Sequence, residues 1–123
     1  MQIINLTPHA ILVFDADGKT ELLTLPPSGT VARVAVTRKQ TDSLDVGLSN
    51  PGPGDNWPEI PVYVGTYGSV TDLPEPDESD TAFVVSALVR SAMPNRRDVF
   101  SPGELIRGAD GQPIGCRGLE ANA

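Results

Sequence analysis

The feature that most constrains this chain is how often it is interrupted. Twelve prolines and twelve glycines are spread through its 123 residues. Proline removes a helix hydrogen bond and clashes with the preceding turn, so frequent prolines forbid long helices. Short strands joined by tight turns are what remains.

The apolar runs between these breaks read accordingly. Gln2 to Leu6 and Ala10 to Phe14 are short strands, and Glu21 to Leu25 returns after Asp15-Ala16-Asp17-Gly18. Asp-Gly between apolar runs is a strong hairpin signal. Pro26-Pro27-Ser28-Gly29 makes the next turn. Thr30 to Arg38 alternates, with Ala32, Val34 and Val36 on one face and Val31, Arg33, Ala35 and Thr37 on the other. Residues 39–59 lack clear periodicity and contain N-P-G-P-G-D-N-W-P, which reads as a long connection carrying Trp57. Ile60 to Val70 is strand-like, with Tyr63 and Tyr67 on one face.

Thr81 to Val85 is a continuous apolar run, the pattern of a buried central strand. It leads into Ser86 to Met93, the best helical stretch, with Ser86 placed to cap it and Pro94 to stop it. Glu104 to Arg107 and Ile114 to Arg117 form a second hairpin around A-D-G-Q. The expected fold is α+β: mainly antiparallel β, a curled sheet or small barrel, with one short helix near 86–93. The size prior makes residues 1–123 a single domain with a long loop at about 39–59.

A net charge of −7 argues against general nucleic-acid binding, because neutralising phosphate requires a basic surface. The basic residues are unevenly placed, however, and Arg90, Arg96, Arg97, Arg107 and Arg117 all follow the acidic segment Asp72 to Asp80. A single cysteine, Cys116, excludes an internal disulfide and a multi-thiolate zinc site. No apolar stretch approaches the roughly 20 residues of a membrane helix. The opening M-Q-I-I-N-L-T-P lacks the marks of a secretion signal. The expectation is a cytoplasmic protein that binds no metal, needs no cofactor and avoids membranes.

The strongest chemical candidate is V-V-S-A-L-V-R-S-A-M-P-N-R-R-D. A strand running into a hydroxyl-capped helix presents unpaired N–H groups to an anion. Arg96 and Arg97 follow, and guanidinium groups clasp phosphate or carboxylate in a fork. The competing reading is that Ser86 only caps, while the arginines pair with Asp98 and the acidic loop. Arg33, set in mid-strand between Val31 and Ala35, is the second candidate, on a solvated face or in an anion pocket. His9, the only histidine, is the third. As a general base it needs a partner carboxylate or nucleophile. No G-x-S-x-G elbow accompanies it, and a turn histidine is the simpler reading. Trp57, Tyr63 and Tyr67 are either packing residues or stacking platforms. Cys116, between Gly115 and Arg117, reads as a small buried filler.

The motifs INLTPHAI, PPSGTVARV, VVSALV and SPGELIRGADGQPIGCRGL occur in this order and cover about a third of the chain. They resemble a family of small proteins of tailed phages and prophages. The resemblance implies context, an accessory protein in the bacterial host cytoplasm, and carries no catalytic residue with it. Three functions follow as expectations. The first is binding of an anionic small molecule, such as a nucleotide-derived host defence signal, by Arg33, Ser86, Arg96 and Arg97. The second is a nucleotide-acting hydrolase or lyase using His9. The third is a structural or host-protein-binding role, with sheet edges inviting homo-oligomerisation.

Overall fold

A computed structural model describes residues 1–45, 58–76 and 80–123. They divide into two compact units, residues 1–34 with 69–123 and residues 35–68. The first is a sheet-and-helix body and the second a ribbon.

The larger unit is built on a six-stranded sheet of β1 (Gln2–Asn5), β2 (Ile11–Phe14), β3 (Glu21–Leu25), β6 (Thr81–Val84), β7 (Val99–Arg107) and β8 (Pro113–Ala121). Its spatial order is β1-β6-β7-β8-β2-β3. The sheet curls into a nearly closed barrel, and the β-rich α+β class is as expected. It is a mixed sheet. Hairpins β2–β3 and β7–β8 are antiparallel, while β1–β6, β6–β7 and β2–β8 run parallel. Helix α1 (Ala87–Ala92), the single helix among the described residues, lies in the connection from β6 to β7, as a parallel crossover requires.

Local chemistry explains the turns. In the β2–β3 hairpin, Lys19 and Thr20 donate backbone N–H groups to the Asp17 carboxylate at 2.8 and 2.9 Å. These bonds hold the Asp17 carboxyl below the ordinary carboxylate range. At the β7–β8 turn, Gln112 N–H donates to Asp110 Oδ1 and Gly108 N–H to the Gln112 carbonyl. Pro102 is tolerated inside β7 because β6 pairs only as far as Phe100, so the missing N–H costs no ladder bond on that side. Gly103 is required, because a Cβ there would overlap the Arg117 carbonyl oxygen.

The apolar run Thr81–Val85 behaves as a strand buried on both faces. Phe83 and Val85 join one core cluster with Leu6, Ala32, Val89 and Val99. Val84 joins the other with Val13, Leu25 and Cys116. The split follows the two-residue side-chain alternation of a strand. Val84, Val85, Val89 and Val99 are fully or almost fully buried, each contributing roughly 1.5–3 kcal/mol relative to exposure.

The smaller unit holds most of a two-stranded ribbon of β4 (Arg33–Asp45) and β5 (Glu59–Thr71), residues 33–34 and 69–71 being counted with the larger unit. Residues 39–45 and residue 59, expected in a long connection, are strand instead. Polar residues Lys39 to Ser43 hid this, because a ribbon exposed on both faces needs no apolar alternation. Trp57 and the N-P-G-P-G-D-N-W portion of the connection lie outside the described residues, as do residues 77–79 of the acidic segment.

Candidate functional site

The corner between β1 and β2 is organised by Asn5, which is 2% exposed. Its amide nitrogen donates to the His9 carbonyl at 2.9 Å and to the Leu25 carbonyl at 3.0 Å. Its Oδ1 accepts from the Thr7 N–H at 2.9 Å and the Thr7 hydroxyl at 2.6 Å. Both donors and both lone pairs of that side chain are thereby used. The Asn5 carbonyl also accepts from Ser28 N–H, beside a bridge between Asn5 and Pro27. Asn5 therefore shapes the Thr7-Pro8-His9 corner and ties β1 to β3 where the barrel closes.

Two concavities flank this corner. The smaller, of about 220 Å³, is lined by Thr7, Arg33, Ser86 and Leu88 among others. The larger is a groove of about 660 Å³ whose lining includes His9, Ile11, Leu105, Ile114 and Gly115. Thr7 and Ser86 line both, so the two adjoin. The groove passes over Gly115, where a Cβ would stand 2.6 Å from both the Leu12 carbonyl oxygen and the Phe14 ring.

The expected ligand-binding residues separate. Arg33 and Ser86 share the smaller concavity. Arg33 is exposed, and among the described residues no group pairs with its guanidinium. Ser86 caps α1, its Oγ accepting from Val89 N–H at 3.2 Å. With only six residues in the helix, the Ser86 hydroxyl acts as a cap and a wall.

Arg96 and Arg97 line neither concavity. Arg96 makes a forked pair with Asp98, Nε to Oδ1 at 2.8 Å and a terminal nitrogen to Oδ2 at 2.9 Å, and donates to the Pro74 carbonyl. The pair raises the guanidinium's proton affinity further and holds the Asp98 carboxyl below its ordinary range. Arg97 donates to the Asn122 carbonyl at 3.0 Å. Both arginines hold the chain around the end of α1 together, as the competing reading of the sequence had it for Arg96.

His9 is exposed and borders the groove. Its backbone carbonyl is held by Asn5, and among the described residues its imidazole has no carboxylate or nucleophile as partner. Cys116 also borders the groove but is buried, its thiol donating to the Gly118 carbonyl at 3.4 Å. Burial pushes that thiol up, away from the reactive thiolate. Among the described residues there is no cluster of three or more His, Cys, Asp or Glu side chains that could hold a metal ion. No helix there is long and apolar enough to cross a membrane.

Two residues carry more than their sequence context suggested. Asn5 is one. The other is Arg90, whose Nε donates to the buried Ser101 hydroxyl at 2.8 Å while its terminal nitrogens reach Asn122 Oδ1 and Glu120. Its partners lie at least eleven residues away, so no local signal marks it. Asn5-x-Thr7 at a strand end does carry a local signal, that of a side chain capping its own turn.

Comparisons of the sequence with protein-family models and curated proteins, and of the fold with solved structures, find no match.

Proposed function

We propose that this chain is a phage or prophage accessory protein that binds an anionic small molecule with an apolar or aromatic body, of the kind a nucleotide-derived defence signal presents. The observation that carries the reading is Arg33, unpaired among the described residues, lining a concavity that adjoins an apolar groove through Thr7 and Ser86. A free guanidinium offers forked, charge-assisted hydrogen bonds to a phosphate. The groove beside it has the volume of a small-molecule site and few polar groups to compete for. Arg96 and Arg97 are left out of this reading, since Asp98 and the Asn122 carbonyl already engage them. The phage context rests on the resemblance of the INLTPHAI and SPGELIRGADGQPIGCRGL segments.

Binding is favoured over catalysis because, among the described residues, the His9 imidazole has no carboxylate or nucleophile to position or activate it. Calorimetric titration with cyclic nucleotides and ADP-ribose-type nucleotides tests the proposal. Binding by a phosphate-bearing compound, lost with its neutral nucleoside, is the expected result. Chromatography of the same mixtures returns the ligand intact if the protein binds. A new product peak that disappears in His9→Ala makes the protein an enzyme instead.

A further inference from the structure

Among the described residues, the β4–β5 ribbon carries large apolar side chains that are exposed. Val36, Leu44, Tyr63 and Tyr67 are all exposed. Arg38 stacks over the Tyr63 ring at 4.8 Å, and a Cβ on Gly65 would meet Val36 at 3.6 Å. The two-residue alternation therefore puts Val36, Arg38, Gln40, Asp42 and Leu44 on the face that carries Tyr63 and Tyr67. An isolated two-stranded ribbon is marginal in water, and each of its strands is also an edge with unpaired backbone groups.

The two edges differ. On β5, Pro61 removes an N–H from the row. Residues 35–45 of β4 contain neither proline nor glycine, giving an unbroken edge roughly 37 Å long. Its sequence, A-V-T-R-K-Q-T-D-S-L-D, is complementary to itself when reversed about Gln40. Antiparallel pairing of two copies about that residue sets Arg38 opposite Asp42, Val36 opposite Leu44 and Thr37 opposite Ser43, each pair occurring twice. Like charges are never directly opposite. Moving the centre to Lys39 sets Val36 against Asp42, and moving it to Thr41 sets Arg38 against Leu44. Within residues 35–45, only the Gln40 centre sets an opposite-charge pair and a Val–Leu pair directly across the seam, the pairs that stabilise adjacent strands.

We propose that two copies of this chain join edge to edge through β4, antiparallel and centred on Gln40, to form a four-stranded sheet. In the single chain the Gln40 amide folds along this edge, donating to the Asp42 carbonyl at 3.4 Å and to Ser43 Oγ at 3.2 Å. Pairing replaces these long contacts with ladder bonds and brings Val36 and Leu44 together beside the tyrosines.

The register makes a sharp test possible. At the centre, residue 40 faces its own counterpart at roughly 4.5–5.5 Å between Cα atoms, within disulfide range. The one native cysteine is buried. Gln40→Cys in the full chain, treated with oxidised glutathione, should therefore give a covalent dimer. Thr66→Cys, on β5, should not. Light scattering on the wild type should give twice the 13.0 kDa chain mass. Arg38→Asp or Asp42→Arg alone should weaken the dimer roughly tenfold, since two attractive pairs become repulsive, and the double exchange should restore it. A monomer at all concentrations overturns the proposal. So does a dimer that crosslinks equally at residue 66, or a double exchange no tighter than the single ones.

Discussion

Replacing Asn5 by leucine tests how the INLTPHAI corner is held. The two side chains are similar in size, so packing is nearly conserved while four hydrogen bonds are lost. Each such bond contributes about 1 kcal/mol net, and an abandoned buried partner costs about 1–3 kcal/mol. The exposed His9 carbonyl can turn to water, but the Leu25 carbonyl, on a residue only 8% exposed, stays largely buried. The expected loss is therefore about 3–5 kcal/mol, a large part of the ~5–15 kcal/mol that holds a domain together. For a chain of this size that lowers Tm by roughly 10–20 °C. Urea unfolding followed by circular dichroism should show the midpoint falling with the slope unchanged. Thr7→Val removes the hydroxyl, whose proton is shared between Asn5 Oδ1 at 2.6 Å and the His9 carbonyl at 3.0 Å, and should cost about 1 kcal/mol. A loss below about 1 kcal/mol for Asn5→Leu, or equal losses for the two variants, would refute a central role for Asn5.

Asp98→Asn breaks the forked pair with Arg96, whose side chain is 11% exposed, and should lower stability by about 1–3 kcal/mol at neutral pH. Because the pair holds the Asp98 carboxyl below its ordinary range, its contribution is complete above that range and is lost as pH falls through the lowered value. Acid titrations of stability should consequently be steeper in the wild type than in the variant below about pH 4. Gly115→Ala drives a methyl against the Leu12 backbone oxygen and should destabilise by about 1–3 kcal/mol, read as a lower Tm. Cys116, buried and held in its thiol form, should react with iodoacetamide at pH 8 at least about a hundredfold more slowly in native protein than in urea.

Much of the fold is legible because it is encoded locally. Asp17-Gly18 between apolar runs specifies the β2–β3 hairpin, and Ser86 with Pro94 brackets a helix that the structure confines to Ala87–Ala92. Phe83 and Val84 announce a strand buried on both faces. The parallel pairings are not legible. Gln2 finds Thr81 as its neighbour across nearly the whole chain, and hydrophobic alternation records which face is buried but not which strand lies alongside.

The site was legible in part for the same reason. Arg33 and Ser86 are far apart in sequence and meet at one concavity. Arg96, read as a ligand group, has its natural partner two residues away at Asp98, and the short range of that pair favours the structural outcome. His9 sits at the β1–β2 corner. Its backbone carbonyl, not its imidazole, is what the corner uses.

The most direct test of the proposed function is calorimetric titration of wild type and Arg33→Gln with the same panel of phosphate-bearing nucleotides. The account predicts saturable binding to the wild type by at least one compound. It predicts an affinity roughly ten- to a hundredfold lower in the variant, the loss of one charge-assisted fork. Undiminished binding in Arg33→Gln, or no heat with any compound, would contradict it.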